Sequence, residues 1–327
     1  MARKVGVSTQ TVSRYFTGVG YVGAETRALI AAAIEELGYR PNQSARNLRA
    51  RRSNAVGVLT MGPLNYGSSG VLTGLSEAAR KVGYTLLIAQ LDLDFEADGW
   101  RGEVRRALEH FLSIPADGIL VSTPVQGTDQ IVAELDAGIP VLTVSERPHS
   151  PEASATTHSF EAARTATEHL IALGHKKILH AAGPANRNEA FERERGYRAA
   201  VDEAGLPALV AAGAPDWTAV SGFLAASAAD PREFTAVFAA NDEIALGFMN
   251  AMTARGLHAP EDYSIVGVDD MPSAAYFPPP LTTMRLDFRA VGADAFRMLH
   301  ERITGAGAVA QDAMEPELIV RDSTAAP

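Results

Sequence analysis

Strand-like apolar runs alternate with helical stretches along residues 55–268, and this alternation constrains the fold more than any other feature of the sequence. The strand-like runs are Ala55–Thr60, Thr85–Leu91, Gly118–Ser122, Val141–Ser145, Lys177–Ala182, Ala236–Ala240 and Ser264–Val268. The helical stretches include Val71–Val82, Glu103–Leu112, Glu161–Leu173, Glu189–Ala204 and Glu243–Arg255. Such alternation predicts parallel sheets wrapped by helices. The number of units is too large for one sheet, so we expect two similar α/β lobes, each Rossmann-like, with a cleft between them.

The charge of the first 53 residues is opposite to that of the rest of the chain. Residues 1–53 carry nine Lys or Arg and three Glu, a net charge of +6, whereas the whole chain carries −10 and the remainder therefore −16. A small basic segment on a large acidic body is typical of a segment that meets a polyanion. A solvated basic end that binds nothing is the alternative, so charge alone does not decide.

Several classes of protein are disfavoured by composition and by missing patterns. The chain has no cysteine, which excludes disulfide scaffolds, thiol nucleophiles and cysteine-ligated zinc. We expect no cofactor and no metal site, because no catalytic or phosphate-binding motif is present. No apolar run is long enough to span a bilayer, and the first residues lack the apolar segment of a secretion signal. The sequence therefore predicts a cytoplasmic, non-enzymatic protein.

A helix-turn-helix pattern occupies the basic segment. Ser8 is a favourable N-cap for a short helix that begins at Thr9, and Val12 and Phe16 share its apolar face. A further helix is predicted from Ala24 to Gly38. Its inward-facing side chains are predicted to be Leu29, Ala33, Ile34 and Leu37. The polar face of the short helix carries hydroxyl, amide and guanidinium groups, which can contact base edges and phosphates in a major groove.

The glycine run Gly18–Gly23 also matches the G-x-G-x-x-G fingerprint of dinucleotide-binding proteins, which leaves a nucleotide-dependent enzyme as one alternative. That fingerprint should follow a buried strand and be followed by an acidic residue that binds ribose. Here a helix precedes the glycines, and Glu35 and Glu36 lie inside the next helix. A loop before that helix, with Gly23 as its cap, is the favoured interpretation.

Segments throughout the chain resemble the lactose/galactose repressor (LacI/GalR) family of bacterial transcription regulators. They are VGVSTQTVSRYF, TRALIAAAIEELGYRPNQSARNLR, TEHLIALGHKKI, AAGP, PDWTAVSGF, AANDEIALGFMNAMTARGL, YSIVGVDDM and PPPLTTMRLDFRAVG. The resemblance implies an all-α helix-turn-helix headpiece followed by a two-lobed core like that of periplasmic binding proteins. The family's first helix begins several residues earlier, so only Met1 to Val5 is expected to represent it.

The resemblance also implies a division of the chain into three parts. The headpiece covers residues 1–40, a hinge or linker covers 41–53, and the ligand-binding and dimerisation core covers 54–327. Within the core, the N-subdomain takes about 54–157 and 288–315, and the C-subdomain about 158–287 and 316–327. The dimer face is expected along the helix Val71–Val82 and its neighbours.

Eight DNA-binding residues follow from the resemblance. Bases are read by Thr9, Gln10 and Arg14. Phosphates are bound by Ser8, Thr11, Ser13 and Asn42. The segment from Pro41 to Arg52 becomes a helix on DNA, and Leu48 matches the residue that wedges between base pairs in the minor groove. A plain basic linker is the alternative for this segment.

Ligand-binding residues are expected at the carboxyl ends of strands, where parallel sheets bind ligands. The resemblance places Arg193, Asn241 and Asp269 on sugar hydroxyls, and Trp217 and Phe288 against the sugar ring. Ser122 and Ser145 lie at strand ends of the first lobe. Two positions depart from the pattern, because Ser145 replaces an Asp and Met61 replaces a small polar residue, so the particular sugar stays open.

The sequence thus predicts a homodimeric, DNA-binding repressor of a sugar-utilisation operon. A saccharide such as a galactoside, bound between the two lobes, is expected to release it from double-stranded operator DNA. The alternative from another class is a sugar-binding transport receptor, which shares the two-lobed body but predicts an export signal and no basic headpiece.

Overall fold

The computed structural model describes residues 1–38, 52–95, 97–211, 214–307, 309–312 and 314–327. The chain divides into two compact units, Met1–Ser53 and Asn54–Pro327. Residues 41–51 of the predicted hinge, including Asn42 and Leu48, lie outside the described residues.

The first unit contains three described helices, α1 (Ala2–Val5), α2 (Thr9–Thr17) and α3 (Ala24–Leu37). Each of them ends at a glycine in the left-handed region, with φ of 71° at Gly6, 68° at Gly18 and 54° at Gly38. Glycine adopts this backbone conformation without the steric cost that a Cβ would bring, so the three glycines define the helix ends.

The small core of the headpiece is made by Val12, Val22, Ile30 and Ala33, which are all buried. The prediction for α3 was wrong at two positions, because Leu29 and Leu37 are 52% and 47% exposed. Ile30 and Ala33 lie three residues apart on one helical face, and this face, rather than that of Leu29, meets α1 and α2. Leu37 occupies the last turn of α3, beyond the buried residues.

The second unit contains two sheets. The first sheet is entirely parallel, with the order β2-β1-β3-β4-β5. Its strands are β1 (Ala55–Met61), β2 (Thr85–Leu91), β3 (Gly118–Ser122), β4 (Val141–Val144) and β5 (Ser154–Ala155). The helices within this part of the chain are α4 (Tyr66–Lys81), α5 (Trp100–Leu112) and α6 (Thr128–Ala133).

The second sheet has the order β11-β10-β9-β8-β6-β7, and β11 is its antiparallel strand. Its strands are β6 (Ile178–Ala181), β7 (Leu209–Ala211), β8 (Ala236–Ala239), β9 (Ser264–Asp269), β10 (Thr282–Arg285) and β11 (Glu317–Ile319). The helices that follow β5 are α7 (Ser159–Ala172), α8 (Asn188–Glu203), α9 (Ala219–Ala228), α10 (Asp242–Ala254) and α11 (Phe288–Thr304). Short 3₁₀ turns lie at Pro151–Ala153, Pro231–Glu233 and Ala274–Tyr276.

Apolar side chains cover both faces of each sheet, as parallel strands require. On β1, Val56 and Val58 pack with α4 and α11, whereas Leu59 packs with α5. In the second sheet, Phe238 faces α7 and α8, and Val237 faces α9 and α10. The predicted fold of two parallel-sheet α/β lobes behind an α-helical headpiece is therefore confirmed.

The chain passes between the two lobes more than once. After β10 in the second sheet, α11 packs against α4 and the first sheet, and β11 then returns to the edge of the second sheet. The carboxyl ends of the central strands of both sheets consequently border one cleft.

Candidate functional site

The described part of the predicted DNA-binding surface lies on α2. Ser8, Thr9, Gln10 and Arg14 are exposed, whereas Thr11 and Ser13 are half-buried. Val12 on the opposite face is 8% exposed and belongs to the core. The helix therefore presents hydroxyl, amide and guanidinium groups on its outer side and is held by its apolar side.

Ser8 and Thr11 have a structural task as well. The Ser8 Oγ accepts a hydrogen bond from the Thr11 backbone N–H at 3.0 Å, and the two hydroxyl oxygens lie 2.9 Å apart. Ser8 is thus the N-cap that the sequence predicts, and Thr9 and Gln10 form the first turn of α2. The predicted contacts of Asn42 and Leu48 lie outside the described residues.

A cavity of about 480 Å³ lies at the carboxyl ends of the strands of both sheets. All eight predicted ligand-binding residues line it: Met61, Ser122, Ser145, Arg193, Trp217, Asn241, Asp269 and Phe288. The lobes also touch beside the cavity, where the Asn188 backbone N–H donates to the Pro124 carbonyl at 2.8 Å and its side-chain amide donates to the Thr123 carbonyl at 2.9 Å. The size and mixed lining are those of a small-molecule site.

Arg193 and Asp269 form a buried ion pair in the wall of the cavity. They are 4% and 6% exposed, and the Arg193 Nη2 donates to the Asp269 Oδ1 at 3.3 Å. The Arg193 Nη1 donates to the carbonyl of Ala240, at the end of β8. The Nε of Arg193 is buried and makes no hydrogen bond with the described residues.

Asp269 ends β9 with an unusual backbone conformation, since its φ is 119°. Burial raises the pKa of Asp269 to about 6, and the neighbouring Arg193 opposes that rise. A carboxyl group with this pKa can accept hydrogen bonds as a carboxylate at neutral pH and gains stability from any further donor that a ligand brings.

Asn241 caps the helix α10 and also positions Trp217. Its Oδ1 accepts from the Ile244 backbone N–H at 2.8 Å, and its Nδ2 donates to the Trp217 carbonyl at 3.1 Å. A side-chain amide has two lone pairs and two N–H groups, so one acceptor position and one donor position are left for a ligand.

Two aromatic side chains, Trp217 and Phe288, form part of the lining. The Trp217 ring lies 5.2 Å from the Arg193 guanidinium, and it fits because Gly183 has no Cβ, which would lie 2.6 Å from the ring. Phe288 packs edge-on against Tyr66, with ring centroids 6.0 Å apart. Aromatic rings in such positions suit the apolar C–H face of a sugar.

The neighbouring residues Asp242 and Asp270 could in principle cap a helix or bind a metal ion. In the structure both are held by hydrogen bonds or ion pairs within the protein. Asp242 accepts from the Met271 N–H at 2.8 Å and from the Thr283 hydroxyl at 2.6 Å. Asp270 pairs with Arg285 at 2.8 Å and with Arg321 at 2.5 Å. Among the residues that the structure describes, no group of three or more His, Asp or Glu side chains is placed to hold a metal ion.

The predicted ligand-binding residues of the first lobe, Met61, Ser122 and Ser145, are less polar than Arg193, Asn241 and Asp269 of the second lobe. Ser145 is buried, and its Oγ accepts from the Arg147 backbone N–H at 3.2 Å. Met61 is 5% exposed and belongs to the apolar cluster beneath the first sheet, whereas Ser122 is half-buried.

Sequence reasoning missed two polar residues between the end of β6 and the first turn of α8. Arg187 and Glu189 both line the cavity, and burial raises the pKa of Glu189 to about 7. The signal that would have found them is their position, because the run Ala182–Glu189 directly follows the carboxyl end of a central strand. Strand ends gather ligand-binding groups in this kind of sheet.

The raised pKa of Glu189 predicts a pH dependence of stability. Between its ordinary value of 4.5 and its folded value of about 7, the folded state binds the proton more tightly, so stability falls as pH rises through this interval. Replacing Glu189 by Gln is expected to remove this part of the loss, on the order of 2 kcal/mol at pH 8. Urea unfolding of both proteins at pH 5 and pH 8 measures it. A Glu189→Gln variant with the same free energy of unfolding as the unmodified chain at both pH values would contradict the prediction.

Comparison with known proteins agrees with both parts of the chain. Residues 1–42 match the model of the bacterial regulatory proteins of the lacI family, and residues 167–324 match a periplasmic binding protein-like domain. The PurR transcriptional repressor of Haemophilus influenzae (strain PittEE) is 31% identical over 334 residues, covering 99% of this chain and 97% of that protein. The lactose operon repressor of Escherichia coli (strain K12) is 30% identical over 330 residues, covering 100% and 90%. The chain belongs to the lacI family.

The LacI-family chain is also similar to a solved structure in its repressing complex. The lac repressor dimer bound to operator and the anti-inducer ONPF matches with a TM-score of 0.86 and 28% identity, over 99% of this chain and 98% of that one. This chain is therefore a DNA-binding transcriptional regulator, and the curated relatives named above are repressors. No helix among its described residues is long and apolar enough to cross a membrane.

Proposed function

We propose that this LacI-family regulator represses a sugar-utilisation operon and is released from operator DNA by a saccharide that binds in the 480 Å³ cavity. The observation that carries this proposal is the lining of the cavity. Hydrogen-bonding groups of Arg193, Asn241 and Asp269 line the cavity together with the rings of Trp217 and Phe288, which is the combination that a polyhydroxylated ring requires.

In this proposal the chain keeps the three-part organisation expected from its sequence, with a headpiece at 1–40, a hinge at 41–53 and a core at 54–327. The two described units, which meet at Ser53 and Asn54, support the last boundary. The protein acts by binding rather than by catalysis, and it works in the cytoplasm beside the DNA that it controls.

The proposed DNA contacts follow the exposed face of α2. Thr9, Gln10 and Arg14 read bases, and Asn42 and Leu48 contribute from the hinge. The remaining phosphate contacts come from Ser8, Thr11 and Ser13. The exposure of Thr9, Gln10 and Arg14, beside the buried Val12, supports these roles.

Replacing Gln10 by Ala is expected to weaken operator binding by about 1–3 kcal/mol, because one good base contact is worth that much. Fluorescence anisotropy with a labelled operator fragment from the chain's own genomic neighbourhood measures this. The matched control is Glu25→Ala, which lies in the first turn of α3 and changes a side chain outside the reading face. If Gln10→Ala binds the operator as tightly as the unmodified chain, Gln10 does not contact a base.

A homodimer is the proposed assembly, as in the solved lac repressor dimer. The helix α4, where the sequence predicts the dimer face, packs through Gly70 and Gly74 against α11, so only its other side is open. The second lobe also exposes apolar side chains, which we assign to the same interface: Val220, Phe223, Leu224, Leu246 and Tyr276. A second copy of the chain would bury them, since a soluble monomer rarely exposes such a set together.

The transport-receptor alternative shares the periplasmic binding protein-like body. It leaves the helix-turn-helix at 1–42 without a task, so the match of that segment to the lacI family favours the regulator.

The experiment that tests the proposed function is operator binding titrated with mono- and disaccharides. We expect at least one saccharide to weaken the complex at least tenfold, corresponding to a coupling of roughly 1–3 kcal/mol. A protein–operator complex that no saccharide in the panel alters would contradict the effector proposal, while leaving DNA binding established.

A further inference from the structure

A second polar cluster of the cavity, formed by Arg187 and Glu189, is not explained by the contacts described above. Arg187 precedes α8 in the second lobe but reaches the end of β1 in the first lobe. Its guanidinium lies 5.3 Å from the Phe95 ring, and a Cβ on Gly62 would lie 2.9 Å from its Nη2. Gly62 therefore leaves the space that brings Arg187 to the cavity wall.

Glu189 occupies the second position of α8 and has a carboxyl oxygen without a partner. Its Oε2 is inaccessible to solvent and makes no hydrogen bond with the described protein. A buried acceptor without a hydrogen-bond partner destabilises the folded protein until a donor reaches it. Two other carboxylates of the cavity have hydrogen-bond donors, since Glu146 accepts from Thr157 and Ser159, and Asp216 accepts from Thr218.

The charge of the cavity is predominantly negative. Its described lining contains six acidic side chains and two guanidinium groups. The acidic residues are Asp94, Glu146, Glu189, Asp216, Glu243 and Asp269. Of the two cations, Arg193 is already bound to Asp269 and to the Ala240 carbonyl. An anionic ligand would therefore meet an excess of like charge in a site with restricted access to water.

Arg187 does not reverse this balance. Burial lowers the pKa of Arg187 and the nearby Glu189 carboxylate raises it, which indicates that the two groups already attract each other. A phosphate or carboxylate that bound Arg187 would have to approach Glu189 as well. A neutral hydroxyl can instead accept from the guanidinium and donate to the carboxylate at the same time.

We propose that Glu189 is a specificity-determining residue of the effector cavity, which accepts a hydrogen bond from a hydroxyl of an uncharged saccharide and excludes phosphorylated and acidic saccharides. This inference rests on the proposed function, because it takes a saccharide as the occupant of the cavity. It assigns the chemical class of that saccharide, which the resemblance to the family leaves open.

Isothermal titration calorimetry of the full chain at pH 8, above the raised pKa of Glu189, tests the inference with matched pairs of probes. The probes are glucose, galactose, lactose and cellobiose, each compared with its 6-phosphate or 6′-phosphate. We expect the best neutral probe to bind at least tenfold more tightly than its phosphorylated counterpart. In Glu189→Gln, which keeps the shape but removes the charge, that preference is expected to shrink at least fivefold.

The control variant is Glu161→Gln, which removes one charge in the first turn of α7, outside the cavity lining, and should leave the preference unchanged. If Glu189→Gln does not fold, as judged by circular dichroism, Glu189→Ala is measured for the same loss of preference. Tighter binding of a phosphorylated probe by the unmodified chain would overturn the inference but leave the saccharide effector standing. An unchanged preference in the Glu189 variant would overturn the role of this residue. Binding of none of the probes would overturn both proposals.

Discussion

Arg193→Ala is expected to abolish measurable saccharide binding and to destabilise the core by about 3–5 kcal/mol at pH 8. The substitution leaves Asp269 buried without its guanidinium partner and leaves the Ala240 carbonyl without its donor. Removing one member of a buried ion pair costs more than the pair itself contributes, because the remaining charge has no water around it. Urea unfolding gives the loss of stability, and calorimetry with the best saccharide gives the loss of binding.

The same variant has a pH dependence whose sign follows from Asp269. Because burial already raises the pKa of Asp269 to about 6, the carboxyl group is protonated at pH 5 and no longer needs a cation. We therefore expect the destabilisation of Arg193→Ala to be smaller at pH 5 than at pH 8. Operator binding by the headpiece should be retained, because its contacts lie on α2.

Arg198→Ala is the matched control, since it lies on the same helix and its exposed side chain pairs with the partly exposed Glu194. Exposed ion pairs contribute about 0–1 kcal/mol, so this variant should unfold almost like the unmodified chain. Equal effects of the two substitutions, or saccharide binding that survives in Arg193→Ala, would show that the buried pair does not organise the cavity.

Gly247→Ala is the second substitution with a large expected effect, a loss of about 3 kcal/mol in the free energy of unfolding. A Cβ on Gly247 would lie 1.7 Å from the Ala219 carbonyl oxygen, and one on Gly222 would lie 1.9 Å from the Ile244 oxygen. Backbone atoms cannot rotate away as a side chain can, so α9 and α10 would have to separate.

The first lobe repeats this arrangement at the contact of α4 with α11. A Cβ on Gly74 would lie 1.9 Å from the Arg289 oxygen, and one on Gly292 would lie 2.0 Å from the Val71 oxygen. Gly292→Ala should therefore cost about as much as Gly247→Ala. Each lobe thus contains one helix pair whose close contact depends on a glycine from both partners.

Gly102→Ala is the control for both glycine substitutions. Gly102 lies within α5, where a Cβ would meet only the flexible end of Arg106 at 3.4 Å. Alanine is the better helix former by about 0.5–1 kcal/mol, so this variant should be slightly more stable. Thermal unfolding of all three variants measures the difference, and a tolerated Gly247→Ala would contradict the backbone contact.

Local patterns in the sequence predicted the long elements well and the short ones poorly. The seven predicted strands are present, and their ends differ from the structure by at most one residue, as in Val141–Val144. The strands β5, β7, β10 and β11 were not predicted, and none is longer than four residues. β5, β7 and β11 have only two or three residues, too few alternations to be distinguished from a loop, and β10 is largely polar. The equally short β4, β6 and β8 were predicted because each lies within a longer apolar run.

The sequence predicts which residues line the cavity, because strand ends can be recognised from it. It does not predict which hydrogen bonds or ion pairs those side chains make. Asn241, Asp242 and Asp270 all follow strands, yet one is a helix cap, one satisfies a backbone N–H and a hydroxyl, and one pairs with two arginines. Leu29 and Leu37 show the same limit in α3, since their exposure depends on which face the other helices cover.

The long helices and strands, the helix caps such as Ser8, the basic charge of the first 53 residues and the family all follow from the amino-acid sequence. These depend on residues that are near one another in the chain and on side-chain chemistry alone. The folded chain shows in addition that Arg193 contacts Asp269, 76 residues away, and that a carboxyl oxygen of Glu189 has no hydrogen-bond partner among the described residues. Burial and the loss of water around a charge arise from segments distant in sequence, so no local pattern specifies them.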